Sequence, residues 1–301
     1  MISSFEQLLE MTSKHNCSIS EIAIEEQVSD SEQSRESIVE QMNNTLDVML
    51  LSIESGRMSQ QKSTSGLTGG DAYKLHKRIS EGKAITGNII SEAICMAIAV
   101  AETNASMGRI VAAPTAGSCG IIPGALGSLI KECGVSKDTA SRALFTAGQI
   151  GLIIANNASI SGAEGGCQAE CGTASAMAAA AIVEALGGTA EMCIHAVAMS
   201  LKCILGLVCD PVAGLVEVPC IKRNASGVTL SFTAAEMALA GICSMIPADE
   251  VVQVMKRVGD TLPKSLRETA EGGLAASATG KRLQHDVFKK LSCIHTCACK
   301  K

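Results

Sequence analysis

Residues 165 to 188 read GGCQAECGTASAMAAAAIVEALGG, and this stretch decides the fold class. Alanine is the strongest helix former and glycine a common stop, so the run predicts a helix over 167–186. The four alanines at 178–181 present almost no side-chain bulk. They imply neighbouring helices packed unusually close. Cys167 falls at the N-terminal end of the run, where the helix dipole favours a thiolate over a thiol.

Outward from this segment the same apolar, 3.6-residue periodicity recurs, and the period-2 alternation of a half-buried strand is missing. Further helices are predicted over 71–81, 87–106, 121–132, 137–155, 190–205, 232–244, 248–258 and 264–270. Before them, Ser29-Asp30-Ser31-Glu32 offers caps and first-turn acids for a long helix. Its Ile38, Met42, Leu46 and Leu50 recur at spacing four, and Gly56 is the expected C-cap. Residues 57–70, RMSQQKSTSGLTGG, are polar and glycine-rich and predict a loop or hinge, a candidate active-site lid. The expectation is an all-α protein, a single large helical domain whose active site is built from glycine- and proline-rich loops. It divides into an acidic helical lead-in at 1–60, a helical catalytic body at 61–280 and a basic, Cys-containing tail at 281–301.

The 301 residues are 47% hydrophobic and 18% charged, ample for a sizeable core. The most apolar stretches are broken by Glu92, Glu102, Gln149, Asn156 and Glu184, far short of a membrane span. The opening MISSFEQLLE is acidic where a signal peptide would be basic and then apolar. A cytoplasmic protein without membrane partners is expected. Four Phe, one Tyr, no Trp and a net charge of −5 offer nothing to bases or phosphate backbones, which excludes a nucleic-acid partner. Charge is uneven: residues 1–60 carry 11 acids against 3 bases. Fourteen cysteines are too sparse for a disulfide scaffold, so in a reducing compartment they are buried hydrophobes, catalytic thiols or metal ligands.

Chemistry is sought where the helical pattern is interrupted, because exposed backbone groups inside an apolar domain are costly unless they bind something. Pro114-Thr115-Ala116-Gly117-Ser118-Cys119-Gly120, with Pro123 opening a helix, reads either as an anion cradle or as an ordinary interhelical turn. Asn156 to Cys167 sets polar and glycine residues before a helix-opening cysteine. Cys209-Asp210-Pro211-Val212-Ala213-Gly214 through Pro219-Cys220 sets two more cysteines in a punctuated loop. The three cysteines are 42 and 11 residues apart, which matches neither ferredoxin nor zinc-ribbon spacing; a metal site with an open position and buried structural cysteines both remain readings. Cys171, one turn after Cys167, is assigned to packing beside it.

Taken together, Ser65 to Asp71, Pro114 to Ser118, Asn157 to Ala163 with Gly166 to Glu170, and Leu207 to Cys220 with Arg223-Asn224-Ala225 resemble the α chain of the iron–sulfur L-serine dehydratases. The resemblance implies a [4Fe–4S] cluster held by Cys167, Cys209 and Cys220, with one iron left for substrate, and deamination of L-serine to pyruvate and ammonia. It places Thr115, Ser118, Asn157 and Ser159 in catalysis, and these together with Gly117 and Arg223 around the substrate carboxylate. Single-chain members end in a cysteine soon after a Gly-Gly-Leu-Ala segment. Here Gly272-Gly273-Leu274-Ala275 runs on to Cys293, Cys297 and Cys299, which resembles the two-chain form.

Eliminating water from serine needs a Lewis acid on the β-hydroxyl and a base near Cα. None of the five histidines has a companion motif, and the Ser-Ser-His-Thr signature of the family's β domain is missing. A separate β subunit supplying that motif and the base is therefore expected, giving a hetero-oligomer. A pyridoxal-phosphate dehydratase would need a Schiff-base lysine beside a phosphate-binding loop, and Lys74, Lys83 and Lys202 have no such context. A related lyase that expels sulfide from L-cysteine and a non-enzymatic cluster-binding subunit are the alternatives.

Overall fold

Serine and threonine caps set where the helices begin. Ser4, Ser18, Ser34, Ser136 and Thr189 each accept a hydrogen bond from the backbone N–H three residues on, satisfying a donor the helix itself cannot. The computed structural model describes residues 2–298, with side chains as far as Lys289. Among them run thirteen α-helices: α1 Phe5–His15, α2 Ile19–Asp30, α3 Arg35–Met58, α4 Asp71–Ser80, α5 Gly87–Ala105, α6 Ile121–Cys133 and α7 Lys137–Asn157. They continue as α8 Gly162–Gly165, α9 Cys167–Ala185, α10 Ala190–Lys202, α11 Cys220–Leu239, α12 Ala248–Thr261 and α13 Ala278–Ala298. No strand forms among the described residues; a single isolated bridge joins Cys209 and Arg267. The protein is all-α, and no described helix is long and apolar enough to cross a membrane.

Helix α9 is the axis of the bundle. Every residue from Cys167 to Val183 is buried, and α6, α7, α10, α11 and α12 pack around it. The alanines at its centre, Ala178 to Ala181, are fully buried among these neighbours, so a larger side chain there would overpack the core at a cost of about 1–3 kcal/mol. Helix α5 is gripped by backbone contact. A Cβ on Gly56 or on Gly120 would overlap the carbonyls of Ala99 and Ala97 respectively. Phe5, Leu8, Leu46 and Met49 of the first sixty residues join the same core as α6, α7 and α9.

Several boundaries differ from the sequence expectation, each for a physical reason. Ser29 to Glu32 spans the end of α2 and the link after it, and the cap of α3 is Ser34. Gly56 does not end α3; it lies within it, at the close contact with Ala99. The helix expected at 232–244 is α11 and begins twelve residues earlier, at Cys220. Its polar start is helical because Asn224 and Ser231 are buried against other elements, and Asn224, Thr229 and Ser231 satisfy their polar atoms on carbonyls four residues before them, at 2.9–3.0 Å. The helix expected over 264–270 is only a 3-10 turn at Lys264–Leu266, after which Glu268 and Ala270 adopt left-handed backbone angles. The tail continues as α13, while Cys299 and the side chains of Cys293 and Cys297 lie outside the described residues.

The glycine-rich segment 59–70 is tied down at both ends of its turn. Glu217, buried, accepts the hydroxyls of Ser63 at 2.6 Å and Thr68 at 2.5 Å. Gly70 has no side chain to cap α4, and Glu102 substitutes, accepting the N–H of Asp71 at 2.9 Å and of Ala72 at 3.1 Å. A segment read as a hinge is thus fastened to the loop that carries Cys209 and Cys220.

Candidate metal centre

Cys167 and Cys220 each occupy the first position of a helix, α9 and α11. Free N–H groups and the positive dipole end favour a thiolate at such a position. Gly166 makes the entry to α9 possible, since its φ of 77° is left-handed. Gln168 then staples that end. Its backbone N–H donates to Leu207 O at 2.9 Å, its side-chain nitrogen donates to Met255 O at 2.9 Å, and its side-chain oxygen accepts Gly206 N–H at 2.9 Å. Cys209 sits on the loop so anchored.

The thiols converge in the interior. Cys167 Sγ lies 3.8 Å from Cys171 Sγ and 3.9 Å from Glu170 Oε2, and it also accepts a hydrogen bond from the Cys209 thiol. Cys220 is near enough for the Cys167 charge to act on it. All four cysteines are buried and none forms a disulfide. Hydrogen bonds from Cys171 and then Cys209 hold Cys167 well below the ordinary thiol range against the cost of burial, with the Arg223 charge adding to them. Its donors move the other way, and burial raises Cys220. Where no thiol donates, burial prevails: Cys95 and Cys119 are pushed up to about 12, chiefly by burial, with the Glu92 charge adding at Cys95 and the Glu170 charge at Cys119. A thiolate fed by neighbouring thiols is the chemistry of a metal site. One ligand atom each from Cys167, Glu170 and Cys171 lies within 4.8 Å of the others, a group able to hold a metal ion.

The predicted anion cradle packs against the same turn of α9. The Thr115 hydroxyl donates to Glu170 Oε1 at 2.5 Å and stands 3.1 Å from the buried Ser118 hydroxyl. Any Cβ on Gly117 would overlap the Glu170 carboxylate. Asn224, fully buried, clamps this loop to α11. It accepts Gly120 N–H at 2.8 Å and donates to Gly117 O at 2.8 Å and Cys220 O at 3.0 Å. Arg223 donates to Val208 O at 2.9 Å, pairs with Asp210 at 2.9 Å and reaches Cys167. Its guanidinium braces the Cys209 loop.

The structure thus brings together Cys167, Cys209, Cys220, Thr115, Gly117, Ser118 and Arg223. Asn157 and Ser159 line a cavity of about 500 Å³ together with Ala163, Gly165 and Ala169. The Asn157 amide donates to Ser3 O at 2.7 Å and Ile153 O at 2.8 Å, and Ser159 Oγ accepts Ser161 N–H at 3.0 Å. Both fasten the loop that leads into α9. No histidine with a described side chain joins the thiols: His76 Nδ1 is buried without a partner, and His195 accepts Ser244 N–H at 3.3 Å.

Sequence reasoning gave no role to Glu170, Glu217, Asn224 or Glu268. Glu170 could have been found, because a residue three after Cys167 shares its helix face. Burial is the main reason its carboxyl rises to about 7, with the Thr115 hydrogen bond opposing and the Cys167 charge adding.

Comparison with known proteins gives a consistent picture. The family model described as serine dehydratase alpha chain matches residues 14–275. A probable L-serine dehydratase alpha chain of Bacillus subtilis is 50% identical over 96% of each chain. The L-serine dehydratase alpha chain of Peptoniphilus asaccharolyticus is 41% identical over 96% of this chain and 99% of its own. An L-serine dehydratase of Streptomyces coelicolor is 46% identical over 60% of this chain but only 40% of its own length.

Proposed function

Because the chain belongs to the serine dehydratase alpha-chain family, we propose that it is the cluster-bearing subunit of an L-serine ammonia-lyase. The enzyme eliminates water from L-serine, and the aminoacrylate released tautomerises and hydrolyses to pyruvate and ammonia. The observation that carries this reading is the convergence of Cys167, Cys171, Cys209 and Cys220, all unoxidised and buried.

The donor set fits a thiolate-ligated iron–sulfur group, with Cys167, Cys209 and Cys220 as its holders. A [4Fe–4S] cluster bound there supplies a Lewis acid for the hydroxide that must leave. The chain's own residues do the rest of the binding. Thr115, Gly117 and Ser118 cradle the substrate carboxylate. Glu170 acts on substrate through Thr115, fixing its hydroxyl at 2.5 Å and so acting as a positioning residue. Asn224 and Arg223 keep the cradle and the Cys209 loop in register. Asn157 and Ser159 support the entry to α9, and Cys171 gives Cys167 its hydrogen bond. The base at Cα and the Ser-Ser-His-Thr motif belong to a separate β chain, and an oxygen-sensitive thiol site of this kind suits a reducing cytoplasm.

The test is anaerobic purification of this chain with and without its β chain, followed by assay of pyruvate from serine, of 2-oxobutyrate from threonine and of sulfide from cysteine. Pyruvate from serine only with both chains is the expected result. Equal pyruvate from this chain alone would overturn the two-subunit reading, and faster sulfide release from cysteine would overturn the substrate.

A further inference from the structure

Between α12 and α13 the chain runs as a strap across the loop of Cys209. Cys209 N–H donates to Leu266 O at 2.9 Å, and Glu268 N–H donates to Cys209 O at 2.8 Å. Farther along, Asp210 accepts Leu274 N–H at 2.7 Å, and Gly273, at φ 56°, lies so close that a Cβ would overlap the Asp210 carboxylate. The strap is fastened on both sides of Glu268.

Glu268 itself has a φ of 62°, a left-handed conformation that costs a non-glycine residue about 1–2 kcal/mol. Its side chain reaches the Cys209 thiol's surroundings. A Cβ built on Gly162 would stand 2.9 Å from Cys209 Sγ and 3.3 Å from Glu268 Oε2, so the carboxylate and the thiol flank one small gap. Glu268 is close enough for its charge to act on Glu170, Cys209 and Cys220. Its carboxylate has no hydrogen-bond or ion-pair partner among the described residues, and it is half-buried. The adjacent cation is directed elsewhere: Arg267 donates from Nε to Leu262 O at 2.8 Å and from Nη2 to Asp260 O at 2.7 Å, and it forms no ion pair with Glu268.

A zwitterionic amino acid presents a carboxylate, a side chain and an ammonium. The function proposed above provides for the first two. The ammonium needs acceptors, and Glu170 has one oxygen on Thr115 and the other against Cys167. We propose that Glu268 receives the α-ammonium of the substrate and thereby selects α-amino acids over α-hydroxy acids. The inference rests on the amino-acid-lyase reading, and its test separates the two.

L-Alanine and L-lactate do not turn over and differ only in carrying an ammonium or a hydroxyl at Cα. Calorimetric dissociation constants for both are measured on the two-chain, cluster-loaded enzyme, with KM for L-serine alongside. Glu268→Gln is expected to weaken L-alanine and raise KM for serine about 10- to 100-fold, the size of a charge-assisted hydrogen bond. L-Lactate binding and the cluster absorption should stay as in the unaltered enzyme. Equal weakening of both ligands, or of neither, would overturn the proposal. Should Glu268→Gln lose the cluster, Glu268→Asp keeps the charge one methylene back. Selective loss of L-alanine there supports the assignment, and parallel loss of both ligands refutes it. If the unaltered enzyme makes no pyruvate from serine, the lyase reading fails while the L-alanine and L-lactate comparison still reports on the ammonium site.

Discussion

Glu92 and Glu170 lie in similar sequence, each inside an apolar, alanine-bearing helix, and each is buried. Their surroundings differ. Glu92 on α5 is answered by cations: Lys131 of α6 pairs with it directly and Arg57 of α3 stands 3.7 Å away. Glu170 on α9 has a neutral hydroxyl on one oxygen and a thiol sulfur near the other. A buried acid compensated by charge joins three helices together. Where no cation pairs with it and a second carboxylate, Glu268, stands near, a buried acid is a cost to the fold, and its position beside the candidate ligands gives that cost a use.

The sharpest way to break this contrast is to remove what makes Glu170 special, the thiols beside it. Cys167→Ser, Cys209→Ser and Cys220→Ser should each abolish the cluster absorption near roughly 400 nm and all activity, because a three-thiolate site cannot lose one ligand and stay intact. Full retention in any of them removes the metal side of the comparison. Next in size, Glu170→Gln should cut kcat/KM by about 10–100-fold, the worth of a hydrogen bond to a charged group. Urea unfolding of the same variant should show stability within about 1 kcal/mol of the parent, since a neutral isostere relieves the cost of burying a charge.

Glu92→Gln is the mirror case. Breaking a buried ion pair costs about 3–5 kcal/mol, and the partial exposure of Lys131 reduces that to about 2–3 kcal/mol. The melting temperature should fall by about 3–5 °C with pyruvate formation per folded enzyme unchanged; an activity loss equal to that of Glu170→Gln would erase the distinction. The smallest effect is expected at the exposed Cys133 and Cys243. Replacing either by Ser should leave absorption, activity and melting within error, which separates loss of a ligand from loss of any thiol.

The helices were legible in the sequence where burial and propensity agree, as in α9, whose predicted bounds of 167–186 differ by one residue from Cys167–Ala185. They were not legible where tertiary contact overrides local preference. Helix α11 carries Asn224, Gly227 and Ser231, poor helix formers that are helical because each is buried against another element. Around the site, Cys167, Cys209 and Cys220 drew notice because each falls at a break in the apolar pattern, while only the family resemblance singled them out as ligands. Glu268 was not, since its position depends on a left-handed turn in a segment that reads as helix, and nothing in its neighbours' sequence announces that turn. The environment of Asn157 was also hidden, because its partner, the Ser3 carbonyl, is 154 residues away.

The Asn224 clamp has a consequence for biogenesis. It bonds to Gly120 and Gly117 across 104 and 107 residues, and Glu217 reaches Ser63 across 154. Contacts so distant along the chain form late, after the local helices and after the loop-closure entropy has been met. On the ribosome, Cys167 emerges well before Cys220, and before the residues that hold its loop in place. A cluster held as proposed above would therefore find its pocket complete only after Cys220 and the residues that hold its loop have emerged and packed.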